Sequence, residues 1–317
     1  MPPPDFLHNH PDYKDLIQTV SDNMGIAPDL IEKDYWIMHC LYGLAKQGYS
    51  FELKGGTSLS KGFGIIHRFS EDIDIRIQPE AGNEVFTGKN QNKPKHQESR
   101  KSFYDGLSDQ IGIDGIEEIV RDEAFDDPKY RSGGIRLKYP GISKVSDGVK
   151  EGVLLEVGFD TATPNQPVDI SSWAFDFARE HDMQVIDNRA MNVLCYEPRY
   201  TFVEKLQTVA TKYRRQQETG DIPKNFMRHY YDLYCLLDNQ EVIDFIGTDK
   251  YRSHKIDRFP KQDYEIPIAQ NEAFLLTDPD TRSLYEKSYQ ETRSLYYEEQ
   301  PSFDQLLDRL QSYIEKL

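Results

Sequence analysis

Residues 51–77, FELKGGTSLSKGFGIIHRFSEDIDIRI, decide the fold. The spacing predicts a short strand, a turn at Gly55-Gly56, a helix of about three turns, and a second strand carrying Asp72 and Asp74 on one face, because alternate strand residues point the same way. Two neighbouring carboxylates repel. A divalent cation between them removes that repulsion, and Mg²⁺ suits the place because it prefers hard oxygen ligands and is held by one or two carboxylates plus substrate phosphates. The glycine pair lets the backbone turn tightly and approach a ligand. The N-terminus of the following helix, with the Thr57 and Ser58 hydroxyls nearby, suits a phosphate. Each piece alone is commonplace, since Gly-Gly is often only a turn and DIDIRI can be an edge strand showing its polar face to water. Within one stretch, they predict the layout of a metal-dependent nucleotidyl-transfer site.

Lys54-Gly55-Gly56-Thr57-Ser58-Leu59 and Arg68-Phe69-Ser70-Glu71-Asp72-Ile73-Asp74 resemble the first motif of the AbiEii/MenT-type nucleotidyltransferases, K-G-G-T/S-x-L followed by R-F-S-x-D-I-D. These are toxins of type IV toxin–antitoxin and phage-defence systems within the polymerase-β-like superfamily. The resemblance implies an NTP substrate, Mg²⁺ or Mn²⁺ on Asp72 and Asp74, and nucleotide contacts from Lys54, Gly55, Gly56, Thr57, Ser58 and Ser70. It also implies a tRNA 3′ end as acceptor and a cognate antitoxin as partner.

Glu156 is a lone carboxylate in the apolar run VLLEVGFD. Burial without a partner would cost several kcal/mol, so it needs a cation, hydrogen bonds or exposure. The superfamily resemblance makes it the third metal carboxylate, with Asp160, four residues on, as the fallback. Glu204-Lys205-Leu206 and Arg228-His229-Tyr230-Tyr231-Asp232-Leu233 resemble the family's second signature, E-K-L-x-A-L and R-D-x-Y-D-L, with His229 where the motif has Asp. The resemblance places Lys205 on the triphosphate, Arg228 near the nucleotide and Asp232 in the active site; a plain i,i+4 salt bridge between Arg228 and Asp232 is the alternative. Ahead of the glycine turn, Glu32, Lys33 and Asp34 read either as a solvated first helical turn or, by the same resemblance, as a segment packed on the catalytic sheet.

The chain has 317 residues, 38% of them hydrophobic, and a formal charge of -16, enough for one large or two modest domains with a polar surface. No apolar run approaches the roughly 18 residues of a membrane span. The N-terminal MPPPDFLHNHPDYKD has neither a basic nor an apolar signal region, and the three cysteines form no CxxC pair, so the expected setting is the reducing cytoplasm. The acidic charge argues against a wide grip on nucleic acid. Basic residues cluster only locally, at Lys89, Lys93, Lys95, Arg100 and Lys101, and at Lys205, Lys212, Arg214, Arg215, Lys224 and Arg228.

Apolar spacing predicts helices over 13–24 and 29–46, a polar loop to about 95, a helix over 97–111, and an antiparallel pair from 134–139 and 153–159. The expected architecture is α/β plus α. A polymerase-β-like nucleotidyltransferase core with N-terminal helices spans 1–165, and a mainly helical domain closing the active-site cleft spans 166–317. The resemblance covers about 29–240 and implies a Mg-dependent nucleotidyltransferase acting as a toxin. Transfer to a protein or small molecule, or an inactive fold kept as a binding partner, are the alternatives.

Overall fold

The structure, a computed structural model, describes residues 4–79, 82, 84–143, 150–222 and 225–317. Lys224 and parts of the loops expected after 77 and 139 lie outside the described residues. The chain divides into two compact units, Met1–Gly62 with Ser70–Tyr196, and Phe63–Phe69 with Glu197–Leu317.

The first unit is built on a mixed sheet of β1 (Phe51–Lys54), β2 (Asp72–Ile77), β3 (Glu118–Asp122), β4 (Ser132–Lys138), β5 (Val153–Gly158), β6 (Asn165–Ile170) and β7 (Ala190–Tyr196). Their order is β3-β4-β5-β2-β1-β7-β6. β2 is antiparallel to β1 and parallel to β5, and β4 and β5 form the expected antiparallel pair. The alternation in β2 turns Ile73, Ile75 and Ile77 into the core and leaves Asp72, Asp74 and Arg76 half-buried on the other face. The helices Tyr13–Met24 and Pro28–Lys46 pack on each other. The second opens with proline at its start, where no backbone N–H is needed, and buries Tyr35, Trp36, Met38, Leu41 and Leu44 completely.

Two expectations are corrected here. The sheet continues beyond 165, because β6 and β7 pair antiparallel and β7 runs parallel to β1; the division falls at Tyr196/Glu197. The helix after the glycine turn is shorter than about three turns. It is one α-turn at Gly55–Thr57 continued by a π-helical stretch, Ser58–Gly62, and Gly64, at φ 61°, turns the chain away soon after. The loop before the helix Pro94–Gln110 is also tied down. Arg100, fully buried, donates to the carbonyls of Phe86, Gln91, Lys129 and Tyr130, while Arg131 donates to those of Thr87, Gly88, Lys89 and Gln91.

The second unit is helical. Its longest helix, Pro198–Thr219, packs against Arg228–Leu236, and Phe202, Leu206, Val209, Tyr230, Leu233, Leu306 and Leu310 form its core. Segment 63–69 lies among these elements. Phe69 N–H donates to the Leu295 carbonyl at 2.7 Å, and Tyr297 N–H to that of His67 at 3.2 Å.

Candidate active site

Strand pairing builds the site in rows. Lys54 on β1, Asp74 on β2, Glu156 on β5 and Gly134 on β4 stand opposite one another across four adjacent strands. Asp72 lies two residues before Asp74, on the same face of β2. Asp74 Oδ1 is 3.5 Å from Lys54 Nζ, and Asp72 Oδ2 is 3.0 Å from Lys150 Nζ. Gly55 has φ 74°, a left-handed conformation that favours glycine, and a Cβ there would stand 3.0 Å from Asp74 Oδ2. The glycine turn therefore brings bare backbone against the carboxylate row.

Thr57 and Ser58 are buried. The Thr57 hydroxyl donates to the Asp72 carbonyl and the Ser58 hydroxyl to that of Gly55, so Thr57 braces the turn against β2 and Ser58 closes the turn on itself. Ser70 is half-buried just before that strand. Burial, then the charges of Asp74 and Asp72, push the Glu156 carboxyl up to about 7, against the pull of Lys150 and Lys54. Asp160 is exposed beyond the end of β5.

Among the described residues, no group of three His, Cys, Asp or Glu side chains is gathered as a ready metal site. The donor chemistry still suits a hard divalent ion. Asp72, Asp74 and Glu156 offer only carboxylate oxygens, and burial, with repulsion from the two aspartates, already drives Glu156 towards taking a proton.

Glu32, Lys33 and Asp34 are all buried, which excludes the solvated reading. Glu32 accepts from the backbone N–H of Ile142 and Ser143, Lys33 pairs with Glu71, and Asp34 pairs with Lys61 and accepts from Trp173 N–H. Glu71 and Lys150 were missed by the sequence reading. Glu71 sits inside a recognised motif as its variable position. Lys150 is 78 positions from Asp72, in a polar loop with nothing to single it out.

The residues of the second motif meet in the helical unit. Asp232, fully buried, accepts from Arg68 Nε at 2.7 Å and Arg68 Nη2 at 2.8 Å, and Lys205 Nζ lies 2.7 Å from its Oδ2. The arginine of R-F-S thus partners the second motif's aspartate. Arg228 begins the helix that carries Asp232. The His229 imidazole is held well below its usual pKa by desolvation and the nearby Lys205 and Lys212 ammonium groups, and its Nε2 stands 2.9 Å from Lys212 Nζ. Arg214 is engaged by Asp263. In the second basic cluster Lys205, Lys212 and Arg214 are thus committed to internal contacts, while in the first Arg100 is buried and Lys89, Lys93 and Lys95 are exposed.

A mixed sheet carrying a carboxylate row beside a glycine turn, followed in the chain by a helical unit, is the frame of a nucleotidyltransferase. Residues 38–309 match the family described as "Nucleotidyl transferase AbiEii toxin, Type IV TA system", and the chain belongs to that family. The match reaches well past residue 240, into the C-terminal helices. A solved structure described as "Crystal structure of an antigenic nucleotidyltransferase-like protein from Paracoccidioides brasiliensis" is similar at a TM-score of 0.33 and 12% identity, over 82% of this chain and 94% of that one. No curated protein matches. Among the described residues no helix is long and apolar enough to cross a membrane.

Proposed function

We propose that this nucleotidyltransferase moves NMP from an NTP to the 3′-hydroxyl of a tRNA in a Mg²⁺-dependent reaction, and acts as a toxin restrained by a cognate antitoxin. The observation that carries the chemistry is the in-register pair Asp74 and Glu156, with Asp72 on the same face and Gly55 against it. Asp72, Asp74 and Glu156 would hold the metal. When bound, it supplies charge stabilisation at the attacking and leaving oxygens of an in-line displacement. Lys54, already beside the row, neutralises phosphate charge, and the Gly55 and Gly56 backbone with Ser70 lines the phosphates. Thr57 and Ser58 serve that cradle by holding its shape.

The nucleotide-binding roles of Lys205 and Arg228 and the active-site role of Asp232 rest on the family's second motif. Within its own unit, Asp232 fixes the Lys205 ammonium and the Arg68 guanidinium in place. The RNA acceptor rests on family membership. The charge of -16 favours a small footprint such as a strand end, and is also the observation that favours a second reading, transfer to a protein or small molecule.

The test is incubation of the protein with each α-labelled NTP and Mg²⁺, plus total RNA, total protein or no acceptor, followed by gel separation. Label on a tRNA-sized band supports the proposal. Label on protein alone moves the acceptor to the second reading, and no label anywhere overturns the enzyme mechanism.

A further inference from the structure

Lys33 and Glu71 form an ion pair with almost no solvent access, Nζ to Oε2 3.4 Å. A pair so placed must recover its desolvation cost through further hydrogen bonds. Both partners make such bonds to the backbone of Lys150. Lys33 Nζ donates to the Lys150 carbonyl at 2.6 Å, and Glu71 Oε2 accepts from the Lys150 N–H at 2.9 Å. Residue 150 is gripped at both of its backbone polar groups by a pair anchored in the helix Pro28–Lys46 and in the residue next to β2. Its side chain then reaches the carboxylate row, with Nζ 3.0 and 3.3 Å from the two oxygens of Asp72 and 4.7 Å from the centroid of the Phe125 ring.

A freely rotating surface lysine would give up much side-chain entropy to hold that position. Here the backbone clamp has already fixed where the side chain starts, so less remains to be lost. Asp72 is also where the proposed function puts a divalent ion, and one carboxylate cannot serve an ammonium and a metal equally at the same moment.

We propose that Lys150 is a built-in counter-cation of the carboxylate row, positioned by the Lys33–Glu71 clamp, which occupies Asp72 in the resting protein and must be displaced when the divalent metal binds. The inference rests on the reading of Asp72 and Asp74 as metal ligands. It explains how a strand face can carry Asp72, Asp74 and Glu156 together before any metal arrives. It also makes metal binding an exchange, so the resting affinity for the ion is lower than the carboxylates alone would give.

The test is Mn²⁺ titration of the full-length protein without nucleotide, with free Mn²⁺ read by electron paramagnetic resonance, for wild type, Lys150→Met, Lys150→Arg, Glu71→Gln and Asp74→Asn, each first checked for native circular dichroism. Lys150→Met should bind about fivefold more tightly, the size of a half-exposed ion pair removed from competition. Lys150→Arg, which keeps the charge, should stay near wild type, and Glu71→Gln, which loosens the clamp, should fall between. A merely structural Lys150 would leave affinity unchanged or weaken it. That result, with binding lost in Asp74→Asn, overturns the counter-cation and leaves the metal reading standing. Binding in Asp74→Asn equal to wild type, or no uptake by any variant, overturns both.

Discussion

At the scale of single residues, Asp232 shows how far a motif's carboxylate can be from ordinary. Burial alone would push its carboxyl up, yet Arg68 and Lys205 more than offset that and hold it below the usual carboxylate range. The sign of the pH dependence follows. The unfolded chain takes a proton near pH 4, while the folded one does not until lower pH. The pair's stabilisation is therefore fully present above about pH 4 and is lost as pH falls through the folded value, by about 1.4 kcal/mol per pH unit. Asp232→Ala strands two buried cations and should destabilise the helical unit by about 3–5 kcal/mol. Thermal melts at pH 7 check this, and Lys205→Met, which leaves the Arg68 pair intact, should cost less; equal melting of all three proteins would refute the assignment. A second residue-scale prediction separates Glu156 from Asp160. Glu156→Gln should lower kcat with little change in KM for NTP, whereas Asp160→Asn, exposed past the end of β5, should behave as wild type. Steady-state kinetics decides, and the reverse pattern would exchange their roles.

At the scale of elements, the β1–turn–β2 unit depends on Gly55. Alanine there meets a left-handed backbone and crowds Asp74 Oδ2, so Gly55→Ala should cost about 1 kcal/mol of stability and reduce transfer more than tenfold by moving the carboxylate. Melting temperature and single-turnover rates read the two effects separately; unchanged rates would show that the turn does not set the carboxylate row. This element was legible because its signals are local: alternation in DIDIRI, and two glycines where the chain must bend. Others were hidden for physical reasons. β6 is an edge strand with Pro167 and mostly outward-facing side chains, which leaves no periodic apolar mark. Glu32-Lys33-Asp34 has the composition of a solvated turn, and its burial depends on Glu71, Lys61 and the backbone at 142–143, partners that only the fold brings near. The helix after the glycine turn looked longer because Ile65 and Ile66 continue an apolar run, yet Ile66 is buried in the other unit.

At the scale of the whole molecule, the burial of Ile66 in the helical unit governs how the chain can be divided. A linear reading suggests two domains in succession, each able to fold alone. The observed units are interleaved, because segment Phe63–Phe69 is flanked on both sides by the sheet unit and belongs to the helical one. Cutting at Tyr196/Glu197 therefore damages both products. The fragment 1–196 would carry Ile66, Arg68 and Phe69, all buried in the intact chain, without Asp232 and the Leu295 carbonyl that Arg68 and the Phe69 N–H use. The fragment 197–317 would keep Asp232 buried with only Lys205 opposite it, and a vacancy where the segment packs. Exposed apolar surface of this kind favours association, and an incompletely paired buried charge is strongly destabilising. Expressed separately, each fragment should be insoluble or lack a cooperative melt; expressed together, they should be recovered as a complex with a cooperative melt below that of the intact chain. A complementary variant isolates the cause: Arg68→Met with Asp232→Leu in the intact protein removes both charges of the two-bonded pair, strands one cation, Lys205, rather than two, and should melt closer to wild type than Asp232→Ala does. Two fragments that each fold alone with sharp thermal transitions would show that the segment's packing contributes little, and that the chain is after all two successive domains.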